Sequence, residues 1–104
     1  MFIILVTSSE SPEALRNISG LARSVAGRGH RVTVFFNGDS VRHLKAEGGD
    51  EALSNLGVPL LACRTSAREN GITALRQMVS GAELSSLGEL VDLMGDADRV
   101  LHVG

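Results

Sequence analysis

The chain has 104 residues, 43% apolar and 21% charged, the size and balance of one globular domain and not of a disordered or fibrous polymer. With three Phe, no Trp or Tyr and a formal net charge of -2, it offers neither the broad basic surface nor the stacking groups on which nucleic-acid binding depends. The single cysteine excludes an internal disulfide and fits a reducing, cytoplasmic compartment, while no apolar run is long enough for a signal-peptide core or a membrane span. One domain over residues 1–104 is the expectation.

Phe2-Ile3-Ile4-Leu5-Val6 is an unbroken apolar run rich in strand formers, as suits a central strand buried on both faces of a parallel sheet. Thr7-Ser8-Ser9 ends it. Ser11 is placed to cap a helix with Pro12 at its first position, and Ala14, Leu15, Ile18, Leu21, Ala22 and Val25 recur at helical spacing until Gly27-Arg28-Gly29. Val32 to Phe36 is a second apolar run, stopped by the turn residues Asn37-Gly38-Asp39. These three elements make a βαβ unit, which demands parallel strands and a right-handed crossover.

Val41 and Leu44 suit a short helix, Gly48-Gly49 a break, and Asp50 to Leu56 another short helix. Val58 to Ala62 reads as a third strand, with Pro59 tolerable near its start, where a missing amide hydrogen matters least. Cys63 follows directly. Arg64 to Asn70 reads as a helix closed by Gly71, Thr73 to Met78 as a further turn, and Val79 to Leu84 as the home of a short fourth strand. Ser86 with Glu89 has the spacing of a capping box, opening a helix whose Leu87, Leu90, Val91 and Met94 form one stripe, expected to be core. After Gly95-Asp96-Ala97-Asp98, Arg99 to Val103 is the last strand. Strands alternate with helices throughout, so the expected fold is a three-layer α/β/α sandwich around a mainly parallel sheet of four or five strands.

In such a sheet ligands bind outside the carboxyl ends of the strands, which directs attention to Thr7-Ser8-Ser9, Asn37-Gly38-Asp39 and Cys63-Arg64. Cys63 is the candidate nucleophile. A thiolate at a strand end before a helix is favoured by the free amides and dipole of the helix N-terminus, and positive charge from Arg64 and Arg68 would favour it further. A lone cysteine is equally well a small buried hydrophobe, and position alone does not separate the two.

Leu61-Ala62-Cys63-Arg64-Thr65-Ser66-Ala67-Arg68-Glu69-Asn70-Gly71-Ile72 resembles the active-site segment of DsrE/TusD-like sulfur-relay proteins. There a cysteine after the third long strand precedes a helix and then a Gly with an aliphatic residue. Leu84-Ser85-Ser86-Leu87-Gly88-Glu89-Leu90 with Ala97-Asp98-Arg99-Val100 is similar to the closing segment of that family, and Phe35-Phe36-Asn37-Gly38-Asp39-Ser40-Val41 to its second strand and loop. The chain is shorter than typical TusD-like members between the second and third strands. The resemblance implies a sulfur carrier, in sulfur oxidation or tRNA thiolation. Cys63 would take sulfane sulfur from a donor protein's persulfide and pass it to a partner's cysteine, as a possible sulfurtransferase. It implies no metal or organic cofactor, no membrane and no direct nucleic-acid contact, and it implies assembly into homo- or hetero-oligomers. The competing reading within the same fold is a non-catalytic subunit or small-ligand-binding module.

Other cysteine chemistries fit less well. A low-molecular-weight phosphatase loop needs Arg six positions after the nucleophile, where this chain has Glu69, and a rhodanese-like loop ending at Arg68 lacks its usual glycine. A thioredoxin-like site needs a second cysteine, a receiver domain needs acids after the first strand, and dinucleotide binding needs glycine in the first βα turn. His30, His43 and His102 lack metal-ligand spacing, although His43, after the second strand's loop, is a candidate neighbour for Cys63.

Overall fold

The computed structural model describes the backbone of residues 1–104 and every side chain except that of Glu51. The elements run β1 (Phe2–Thr7), α1 (Pro12–Gly27), β2 (Arg31–Phe36), 3-10 helices at Gly38–Leu44 and Glu51–Leu56, β3 (Leu60–Cys63), α2 (Arg64–Glu69), a 3-10 turn at Leu75–Gln77, β4 (Ala82–Ser85), α3 (Leu87–Asp96) and β5 (Arg99–His102). The five strands pair in parallel throughout, in the order β4-β3-β2-β1-β5. The expected three-layer α/β architecture is therefore the observed one, with five strands.

Side-chain alternation along each strand divides the core into two layers. Ile3, Leu5, Val32, Val34, Phe36, Leu60, Ala62 and Ala82 face one side, which is covered by α1 through Ile18 and Ala22, by the 3-10 segments through Val41, Leu44 and Leu53, and by α2 through Ala67. Phe2, Ile4, Phe35 and Cys63 face the other, where α3 supplies Leu90 as its buried residue. Burying a side chain such as Phe35 or Phe36, both fully enclosed, contributes roughly 1.5–3 kcal/mol. The second layer is the thinner one.

Local chemistry sets the element ends. Ser11 Oγ accepts from the Ala14 amide at 3.1 Å and Pro12 opens α1, as the sequence requires. At the end of α2 the Gly71 amide donates to the Arg68 carbonyl and the Ile72 amide to the Ala67 carbonyl, a Schellman closure that needs the left-handed φ of +81° that Gly71 adopts. Gly49 marks the break before the second 3-10 helix because the backbones of His43 and Lys45 leave no room there for a Cβ. The segments read as short helices between β2 and β3 are thus 3-10, not α.

One expectation is corrected in α3. Leu90 is buried and Leu93 partly so, whereas Leu87, Val91 and Met94 are 54%, 64% and 41% exposed. They lie around the helix from the residues that touch the sheet, and no other element among the described residues covers them. The stripe read as core is split in two, one part core and one part surface.

Candidate functional site

Cys63 is the last residue of β3 and the N-cap residue of α2, as its sequence position implies. It is 3% exposed and packs in the thinner core layer with Phe2, Ile4, Phe35 and Leu90. Its thiol forms no cap hydrogen bond. The residue beside it in β4 is Ser85, fully buried, whose hydroxyl donates to Glu89 Oε2 at 2.8 Å. Registered neighbours on parallel strands point to the same face, so Ser85 and the Glu89 carboxylate flank the side of the sheet on which the thiol lies. The sequence pointed to Glu89 as one half of a capping box with Ser86. Ser86 Oγ does accept from the Glu89 amide at 3.0 Å, but the Glu89 side chain turns to Ser85 instead of reaching back.

Arg64 and Arg68 sit on the exposed side of α2, and neither forms an ion pair among the described residues. Both charges are solvated. His43 is buried and donates from Nε2 to the Ser9 carbonyl at 3.0 Å, which spends it on holding the β1–α1 loop and not on Cys63. His102 and Ser8 lie 3.2 Å apart at the carboxyl ends of β5 and β1, which are three and two strands away from β3.

The loops at this edge are tied by a polar network that is barely legible in the sequence. Ser66 Oγ accepts from the Gly38 amide at 2.9 Å and donates to Asn37 Oδ1 at 3.1 Å, joining the β2 loop to the first turn of α2. Ser40 Oγ donates to the carbonyls of Thr7 and Asn37. Arg42 spans three loops, with Nε on Asn70 Oδ1 at 2.6 Å and a terminal nitrogen on Glu10 Oε2 at 2.8 Å. The ion pair is half exposed on both sides, so its energy is small, ~0.2–1 kcal/mol. Its effect is positional, because α2 and hence the backbone of Cys63 are anchored from both neighbouring loops. The only signal in the sequence was a run of Ser and Asn after strands, a pattern shared with ordinary turns.

A cleft of about 420 Å³ lies away from this edge and opens between Lys45–Glu47 and the Gly71–Gln77 loop. Gln77 shapes its wall by accepting from the Thr73 and Ala74 amides and donating to the Gly71 carbonyl. Cys63 does not line it. No helix of the described residues is long and apolar enough to cross a membrane.

Comparison with known proteins agrees with this geometry. In solved structures the chain is similar to the ychN protein of E. coli, at 24% identity and a TM-score of 0.79 over 97% of both chains. It is similar too to protein MTH1491 of Methanobacterium thermoautotrophicum, at 15% identity and 0.84 over 97% of both, and to BT1422 of Bacteroides thetaiotaomicron, at 12% and 0.74 over 97% of this chain and 93% of that one. At these identities the likeness shows the fold. No curated protein matches the sequence significantly. The model of the DsrE/DsrF-like family matches residues 1–103, nearly the full length and with the cysteine at the end of β3 inside it, and the chain belongs to the DsrE/DsrF-like family.

Proposed function

We propose that this protein is a sulfur carrier that relays persulfide sulfur through Cys63 between two partner proteins. The observation that carries the reading is the place of Cys63 in a DsrE/DsrF-like chain, at the carboxyl end of β3 and immediately before α2. In the first step the Cys63 thiolate attacks the outer, sulfane sulfur of a donor persulfide. The donor S–S bond breaks, its thiolate leaves, and Cys63 becomes a persulfide. In the second step an acceptor thiolate attacks that outer sulfur and Cys63 leaves as thiolate, so one sulfur atom moves with no net oxidation or reduction. Arg64 and Arg68 are assigned electrostatic support of the thiolate, and the working form is an oligomer in contact with donor and acceptor proteins.

A 3% exposed thiol cannot be reached by another protein's cysteine without movement of its cover, of which Leu90 on α3 is a part. That burial favours a second reading, in which Cys63 is a core residue and the chain is a structural or ligand-binding subunit. Incubation with a persulfide donor followed by intact-mass measurement separates the two. The carrier gains the mass of one sulfur atom, loses it to reductant, and gains nothing as Cys63→Ser. A chain that takes up no sulfur and whose folded thiol resists alkylation is the structural subunit.

A further inference from the structure

The first turn of α3 supplies part of the cover of Cys63, and the two ends of that helix are held differently. At the far end Asp98 follows the cap residue Ala97 and clasps β1. Its carboxylate accepts from the Phe2 amide at 2.7 Å, and its own amide donates to the Phe2 carbonyl at 2.8 Å. At the near end residues 87–90 send Leu90 into the cluster around the thiol. Among the described residues, one side-chain hydrogen bond ties this turn to the sheet, from Ser85 of β4 to Glu89.

Ser85 is fully buried, and the closed turn is what brings the Glu89 carboxylate to its hydroxyl. Without that partner the closed form would bury an unsatisfied polar group, so the turn and the bond hold each other in place. The same turn contains Gly88, and glycine is the poorest helix former apart from proline. Packing does not require it: a Cβ at position 88 would meet Ser86 Oγ at 3.7 Å, an ordinary contact. Its effect is to make the turn easier to unwind, and Leu87, Gly88 and Glu89 are exposed, so water can take over their backbone groups.

We propose that the first turn of α3 is a gate over Cys63, with the Ser85–Glu89 hydrogen bond as its latch and Gly88 as the point where it yields. Residues 86–90 unwind while the Asp98 clasp and Leu93 keep the rest of the helix on the sheet, and Leu90 lifts from the thiol. This rests on the carrier reading and gives it a route by which another protein's cysteine reaches a sulfur that is 3% exposed. Ser85 and Glu89 are positioning residues in that scheme. Neither takes part in the bonds made and broken at sulfur; they set how often the sulfur is uncovered.

The gate is read by the rate at which iodoacetamide alkylates Cys63 in the native chain at one fixed pH. Glu89→Ala removes the latch and leaves the Ser85 hydroxyl unpaired, and should speed the reaction roughly tenfold. Glu89→Gln keeps an oxygen that accepts from Ser85 and should stay within about twofold of the parent, which separates the hydrogen bond from the charge. Gly88→Ala should slow alkylation about two- to fivefold, the helix preference of alanine over glycine. Gly95→Ala, at an uncrowded site in the last turn, should leave the rate unchanged. Both alanines favour the helix, so these arms do not depend on a damaged fold. An unchanged rate in Glu89→Ala overturns the inference, as does a Glu89→Gln rate equal to that of Glu89→Ala. Equal slowing by Gly88→Ala and Gly95→Ala overturns it too, because the whole helix would then be opening. Sulfur loading is read separately by mass: a chain with the expected rates that takes up no sulfur keeps the gate and loses the carrier assignment, and loading without those rates does the reverse.

Discussion

At the carboxyl end of β1 the Thr7 carbonyl accepts from the Asn37 amide and from Ser40 Oγ, but the Thr7 hydroxyl, fully buried, has no hydrogen-bond partner. A buried hydroxyl left unsatisfied costs about 1–3 kcal/mol, and valine has the same shape without it. Thr7→Val should therefore raise stability by about 1 kcal/mol in denaturant titration, and a loss of stability would show that the hydroxyl is satisfied in solution. The arginines of α2 act on Cys63, if at all, through solvent. Replacing Arg64 and Arg68 by Gln should slow alkylation of the thiol at neutral pH by roughly two- to fivefold, the reach of a solvent-screened charge. Identical rate-against-pH curves for parent and variants would assign control of the thiol to its backbone setting instead.

Among the elements, α3 decides whether Cys63 is reached, because Leu90 packs in the same cluster as the thiol and the helix is held to the sheet by few residues. Leu90→Ala should cost about 2–4 kcal/mol of stability and speed alkylation of the native thiol at least tenfold. An unchanged rate in a folded variant would place the route to the thiol on the α2 side. The same helix shows where the sequence is mute. The runs Phe2 to Val6 and Val32 to Phe36 announce buried strands because nothing but a two-faced core accommodates them, and Ser11-Pro12 and Gly71 mark helix ends through local chemistry. In α3, by contrast, Leu87, Leu90, Val91, Leu93 and Met94 supply apolar side chains around nearly half the circumference, and only the tertiary crossing selects Leu90 and Leu93 for the core. The site divides in the same way. The position of Cys63 at a strand end is legible locally, while its burial depends on Phe2, Phe35 and Leu90, distant in sequence, and the Ser85–Glu89 pair depends on the register of β4 against β3.

At the scale of the whole molecule, βαβ units dictate parallel strands and handed crossovers but leave the neighbours open, which is why the order β4-β3-β2-β1-β5 is not readable from alternation alone. That order has a consequence in time. β1 through β4 add outward one after another, each beside the strand before it, but the remaining flank of β1 is closed by residues 99–102, which pair with Ile3 to Val6. During synthesis β1 is thus made before the other strands of this sheet and is the last to be fully paired, its free edge waiting until residues 99–102 are made. Ribosome-bound chains stalled before residue 99 should accordingly carry an open β1 edge, the kind of strand that recruits chaperones or pairs wrongly with a neighbouring chain.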